Sequence, residues 1–154
     1  MSHSLLKIWI HGILCTKNRM PLITDTFEGQ LYEHIKSKLE NELDCKLRII
    51  NGFSNHLHIL FLLSANFSIR DIFKNIKGET SHWINLSDFT KNKFAWQIGY
   101  GAFSVSESIV GEVEKYIANQ KDHHKKISYG EEINLFIKKY SLLNNIINGA
   151  PVNR

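Results

Sequence analysis

The 154 residues suit one domain with one core, and an apolar share of 43% with 22% charged residues is ordinary for a soluble globular chain. No apolar run approaches the ~18 residues that a membrane span needs. The opening "MSHSLLKIWIHGIL" lacks the basic start and small-residue cleavage site of a secretory signal. Cys15 and Cys45 offer no disulfide framework, so a reducing, cytoplasmic setting is expected.

The net charge of +4 is unevenly placed: +3 over residues 1–24, −4 over 25–45, +4 over 46–106 and +1 over 107–154. A basic face with an acidic helix turned away from it would suit a polyanion; ordinary solvated surface charge is the other reading.

In chain order, "LLKIWIHGILCT" (5–16) is β-rich and apolar on both faces, as a central strand is. "KNRMPLI" is a polar loop. From Phe27, apolar residues recur at Leu31, Ile35, Leu39 and Leu43, the stripe of an amphipathic helix, with Asp25 or Thr26 as a cap. "CKLRIINGF" and "HLHILFLL" read as strands joined by a turn at Ser54 and Asn55, hence a hairpin. Ser68 opens a second helix, with Asp71 three residues on, and its core face is Ile69, Ile72, Phe73, Ile76, Trp83 and Ile84. "FTKNKF" is a basic loop and "WQIGYGAFSVS" a glycine-containing strand. A long helix is expected from near Ser106 to about Ile127, a last one from Glu131 to about Tyr140, and a loose tail after it.

The order β-α-β-β-α-β followed by helix predicts an α+β fold. Its core is a ferredoxin-like, RRM-like split β-α-β antiparallel sheet with an additional C-terminal helix. The whole chain reads as one domain, with two helices on one sheet face. The other face is left for a ligand or for the third helix.

Two stretches carry chemistry. In "NHLHIL", strand alternation puts His56, His58, Leu60 and Leu62 on one face and Leu57, Ile59, Phe61 and Leu63 on the other. Two imidazoles side by side can grip one metal ion or can be two satisfied core histidines. In "GEVEKYIANQKDHHKK", Tyr116 and Gln120 are four apart on one helix face, with Glu112 one turn before and His124 one turn after. Ile109, Val113 and Ile117 form the apolar stripe beside them.

Together these stretches resemble a known family. His56-Leu57-His58 is similar to the histidine–hydrophobe–histidine signature of HUH nucleases. "YIANQ", "WQIGYGAFSVS" and "NQKDHHKK" are similar to stretches of the single-tyrosine transposases of the insertion-sequence-200-like group. The resemblance runs from about residue 5 to residue 140.

It implies an enzyme that cuts and rejoins single-stranded DNA through a tyrosine linked to a 5′ phosphate, with Tyr116 as nucleophile. It also implies that His56 and His58 bind Mg2+ or Mn2+, with Gln120 as third ligand. Two imidazoles by themselves favour zinc or a late transition metal, but phosphate oxygens and water in open positions would restore an oxygen-rich shell. Glu112, His123 and His124 are rival third ligands.

The expected partners are hairpins at the ends of a mobile element and a second copy of the chain in a homodimer, with a hinge near Ser106. Lys17, Arg19, Lys91 and Lys93 are candidates for phosphate contacts. Trp96, Tyr100 and Phe103 are candidates for stacking on bases, with core packing as the other reading of Trp96 and Phe103. His3, His11, His34 and His82 are taken as structural or surface residues. The alternatives are a non-catalytic nucleic-acid-binding module on the same sheet, a domesticated relative acting on genomic hairpins, and a metal-binding structural protein that leaves Tyr116 unexplained.

Overall fold

The structure is a computed structural model and describes residues 4–135 of the chain. Four segments become the strands β1 (Trp9–Cys15), β2 (Lys46–Phe53), β3 (His56–Leu62) and β4 (Gly101–Val105). They form one sheet in the order β2-β3-β1-β4, and every neighbouring pair is antiparallel. This is the strand order of the split β-α-β arrangement expected from the element sequence.

One sheet face is covered by α1 (Glu28–Ser37) and α2 (Ile69–Leu86). Ile10, Leu14, Leu57, Ile59 and Phe61 from that face pack against Leu31, Ile35, Ile72, Phe73 and Ile76. The helix begun by α1 passes into a π-type turn, Lys38–Glu42, in which Leu43 N–H donates to Lys38 O at 3.1 Å. That turn explains the apolar spacing. A strict four-residue repeat drifts off one face of a 3.6-residue helix, and one wide turn restores the phase. Leu31, Ile35, Leu39 and Leu43 are accordingly all buried. At the start of α2, Ser68 Oγ accepts from Asp71 N–H at 3.0 Å, as expected of an N-cap.

The other face carries α3 (Val110–Ala118). Val110, Val113 and Ile117 pack on Trp9, Leu60 and Val105. The expected stripe keeps Val113 and Ile117 but begins at Val110 in place of Ile109, because a 3-10 turn at Glu107–Ile109 precedes the helix and turns Ile109 outward, 39% exposed. At the same end, Trp9 Nε1 donates to Glu107, and Lys7 Nζ donates to Glu107 Oε1 at 2.8 Å. These two donors hold the Glu107 carboxyl below the usual carboxylate range.

The single long helix expected from Ser106 to Ile127 is broken. Asn119 leaves helical geometry (φ −92°, ψ 11°), and only a short α4 (Gln120–His123) follows. The reason is packing: after Ala118 the chain offers no apolar residue before Ile127, and Asn is a weak helix former.

The expected strand over 96–106 is also interrupted. Trp96 makes an isolated bridge to Thr16, residues 97–100 leave the sheet, and Gly99 takes φ +90°. Lys77 Nζ fastens this excursion to α2 by donating to Gln97 O and Gly99 O, both at 2.7 Å. The chain divides into two compact units after Gln120. In the second unit, residues 129–135 are helical, capped by Ser128 Oγ accepting from Glu131 N–H at 3.2 Å. The rest of the expected last helix and the tail lie outside the described residues. Among the described residues no helix is long and apolar enough to cross a membrane.

The β2–β3 hairpin is tight at Gly52, where a Cβ would come within 2.2 Å of His56 O and 2.6 Å of Leu57 Cα. Gly52→Ala should therefore cost about 1–3 kcal/mol of stability through forced backbone shifts. The measurement is the urea midpoint at constant slope.

Candidate functional site

β3 is buried from His56 through Phe61, so it needs cover on both faces. On the α3 side it presents His56, His58 and Leu60. Register then fixes their neighbours. His58 lies opposite Ile13 on β1 and Asn51 on β2; His11 lies opposite Leu60 and Phe103. His11, His56, His58 and Gln120 are all fully buried.

The two histidines are held from behind. His56 has an amide oxygen at each ring nitrogen, Asn55 Oδ1 at 2.9 Å from Nδ1 and Gln120 Oε1 at 3.1 Å from Nε2. Since a carbonyl oxygen only accepts, a neutral His56 donates to one of the two, and a cation between Nε2 and Gln120 Oε1 would leave the proton on Nδ1. His58 Nδ1 is 2.8 Å from His11 Nε2. The His56 and His58 rings meet edge to face with centroids 5.2 Å apart.

Tyr116, half-buried on α3, meets His58 edge to face at 5.7 Å and His11 at 6.5 Å. The expected juxtaposition of the histidine pair with Tyr116 and Gln120 is thus present on one sheet face.

α3 is pinned to this face by more than its apolar stripe. Asn51 Nδ2 donates to Ile117 O at 3.0 Å and to Ala118 O at 3.2 Å, so β2 closes the C-terminal end of the helix that carries Tyr116. Arg48, also on β2, pairs with Glu114 and lies 5.3 Å over the Trp9 ring.

His56 Nε2 and Gln120 Oε1 have the spacing that two adjacent ligands of a small divalent cation take. Adjacent ligands of an octahedral ion at about 2.1 Å lie about 3 Å apart, close to the 3.1 Å between His56 Nε2 and Gln120 Oε1. Of the rival ligands, Glu112 is exposed. His123 and His124 belong to the second unit. With Glu132 they form a group that could hold a metal ion, their ligand atoms within 4.8 Å of one another. His124 Nε2 pairs with Glu132 Oε2, and His123 Nε2 is 3.5 Å from it.

The candidate nucleic-acid residues separate. Lys17 and Arg19 are exposed on a short turn, Lys17–Arg19. Lys17 N–H donates to Ala95 O at 2.9 Å and Asn18 N–H to Gln97 Oε1 at 3.1 Å, which joins this turn to the segment after exposed Lys91 and Lys93. Tyr100 is 41% exposed and stacks on Phe73 at 4.3 Å. Trp96 is a core residue: it is buried, its N–H donates to Thr80 Oγ1 at 2.9 Å, and Phe94 packs on it. Phe103 is half-buried, 6.4 Å from His11.

Sequence reasoning passed over Arg70, Lys74 and Lys77, which with Gly99 and Tyr100 line a hollow of about 290 Å³. Their signal is basic residues recurring on one helix face. It also passed over Asn51, Asn55, Glu132 and His11. His11 carries the same signal as His56 and His58, an imidazole in an apolar strand. Of the other histidines set aside, His34 pairs with Glu79 at 2.9 Å and stacks on Trp83, and His82 is exposed. His3 lies outside the described residues.

Three comparisons bear on this geometry. A family model described as "Transposase IS200 like" matches residues 4–120. A crystal structure of a protein from Deinococcus radiodurans R1, assigned as a transposase, is similar with TM-score 0.60 and 21% identity, over 78% of this chain and 95% of that one. A REP-associated tyrosine transposase bound to a REP hairpin is similar with TM-score 0.63 and 14% identity, over 82% of this chain and 74% of that one. No curated protein sequence matches the chain significantly.

The Asn51 contacts give a local expectation. Asn51→Leu should lower stability by about 1–2 kcal/mol and speed amide exchange in residues 110–118, leaving β1 and β3 protected. Hydrogen exchange by mass spectrometry reads both.

Proposed function

Since the chain belongs to the IS200-like transposase family, we propose that it cleaves and rejoins single-stranded DNA through a covalent 5′-phosphotyrosine at Tyr116. The divalent cation, Mg2+ or Mn2+, is held by His56, His58 and Gln120. The observation that supports this best is the meeting of Tyr116 with His58 while Gln120, one turn beyond Tyr116, meets His56. Nucleophile and one metal ligand ride on adjacent turns, so the position of this segment governs both.

The Tyr116 phenol oxygen attacks the scissile phosphorus and the bond from phosphorus to the 3′ oxygen breaks. The phenol proton is lost to solvent, and the departing 3′ oxygen takes one up. In the return step a 3′ hydroxyl attacks the phosphotyrosine, the new phosphodiester forms, and Tyr116 recovers its proton. One phosphate diester replaces another in each step, so no nucleotide hydrolysis is needed. Bound at these donors, a divalent cation supplies charge that polarises the phosphate and offsets what develops in the transition state. His56 and His58 contribute neutral Nε2 donors on a rigid strand. Gln120 contributes an oxygen, and the remaining positions suit phosphate oxygen and water. Burial of the site by α3 excludes water from the histidine face.

The substrate class is a DNA hairpin at an element end, in line with the hairpin carried by one structural neighbour. Lys17, Arg19, Lys91 and Lys93 contact its phosphates, and Tyr100 offers a stacking surface. The buried Trp96 is left out. The protein acts as a homodimer in the cytoplasm. A non-catalytic RNA-recognition-type module would need an open aromatic sheet face, and here α3 covers the corresponding face.

The test uses labelled single-stranded hairpin DNA from the flanks of the protein's own gene, with magnesium or manganese. The wild-type protein should give a slow adduct on a denaturing gel. Tyr116→Phe should give none while binding the hairpin normally, and His58→Gln should lose metal-dependent adduct formation with its fold intact by circular dichroism. An adduct formed by Tyr116→Phe would overturn the assignment.

Charge removal is a separate expectation. Lys17→Ala and Arg19→Ala should each weaken hairpin binding with little sequence preference. Each should also flatten the slope of log affinity against log salt by about 0.7–0.9, as read by fluorescence anisotropy across a salt series.

A further inference from the structure

His11 sits where an apolar residue would pack better. β1 is hydrogen-bonded on both sides, and the register neighbours of His11 are Leu60 and Phe103. A fully buried imidazole there is costly unless its nitrogens are satisfied. Its Nε2 is 2.8 Å from His58 Nδ1, with the rings tilted 35° and their centroids 5.0 Å apart.

The proton inventory assigns the roles. A neutral imidazole has one N–H and one lone pair. If His58 offers Nε2 to a cation, its proton is on Nδ1 and needs an acceptor. The His11 Nε2 lone pair is that acceptor, so His11 carries its own proton on Nδ1. His56 is arranged the same way with a different acceptor, since its Nδ1 faces Asn55 Oδ1. Each ring of the pair therefore has a side-chain acceptor behind the nitrogen that does not face the site. Partners of this kind set the tautomer and direction of a ligating histidine.

We infer that His11 is a positioning residue: it accepts the hydrogen bond from His58 Nδ1–H and so fixes the tautomer and ring direction in which His58 presents Nε2 to the divalent cation. It touches neither metal nor DNA. Its ring also lies edge-on to Tyr116 at 6.5 Å, so the side chain that orients the ligand borders the nucleophile too. The inference rests on the metal-binding reading of His56 and His58, and the experiment separates the two.

The full chain is compared as wild type, His11→Phe, His11→Gln and His58→Gln. The Phe variant keeps an aromatic ring and removes the acceptor; the Gln variant at position 11 puts an amide oxygen near the place of Nε2. Mn2+ binding is followed by isothermal titration calorimetry. The ring-nitrogen protonation of His58 is followed by long-range proton–nitrogen spectra of the metal-free protein.

The expected result is about 10–100-fold weaker Mn2+ binding in His11→Phe, with substantial recovery in His11→Gln. The His58 proton should be on Nδ1 in the wild type and should shift toward Nε2 in His11→Phe. Unchanged Mn2+ affinity in His11→Phe overturns the inference. So does a wild-type His58 protonated on Nε2, a measurement that needs no variant to fold. If His58→Gln binds Mn2+ as tightly as the wild type, the metal reading itself falls. In that case the inference falls as a statement about metal binding, and the spectra report only the hydrogen bond.

Discussion

The constraint on which the structure depends is that β3 is buried on both faces. Its inner alternation, Leu57, Ile59 and Phe61, is covered by α1 and α2. The opposite alternation carries His56 and His58 next to Leu60, and a strand of that kind is stable only if something covers the histidines and satisfies them. α3 does the first through Val110, Val113 and Ile117. Gln120, His11 and Asn55 do the second. Covering the polar face and delivering Tyr116 are therefore one structural event.

That event joins stability to chemistry. The apolar stripe of α3 fixes how far Tyr116 lies from His58, and Asn51 fixes the end of the same helix by holding two of its last carbonyls. A helix of nine residues would be marginal in isolation, so its geometry comes from the sheet beneath it. The break at Asn119 follows from the same balance. Where the apolar residues stop, the helix loses what holds it, and Gln120 is turned in as a buried amide rather than continuing a long surface helix.

His11, His56, His58 and Gln120 are buried, and the exposed cations gather elsewhere on the molecule. Lys17, Arg19, Lys91 and Lys93 lie on the turn after β1 and the segment before Trp96. Arg70, Lys74 and Lys77 recur along α2 beside Tyr100, on the sheet face opposite the histidines. Exposed cations of this kind suit a polyanion.

Much of this was legible in the chain. Alternation in "HLHILFLL" and the helical stripes of α1 and α2 determined the element order and hence the sheet, because those periods record which side of each element meets the core. The four-residue spacing of Tyr116 and Gln120 placed them together on one side of a segment. The sequence by itself did not determine what depends on register between distant strands. His11 and His58 are 47 residues apart, and only the pairing of β1 with β3 makes them hydrogen-bond partners. Trp96 reads equally as a base-stacking ring or a core ring until Thr80, on α2, supplies its hydrogen bond. That α3 begins its buried stripe at Val110 and not at Ile109 was decided by a 3-10 turn that no apolar period records. Local periodicity fixes which face of an element is buried. Which side chains meet across that burial, and which partner each nitrogen of an imidazole faces, is decided by long-range contacts that form only when the sheet closes.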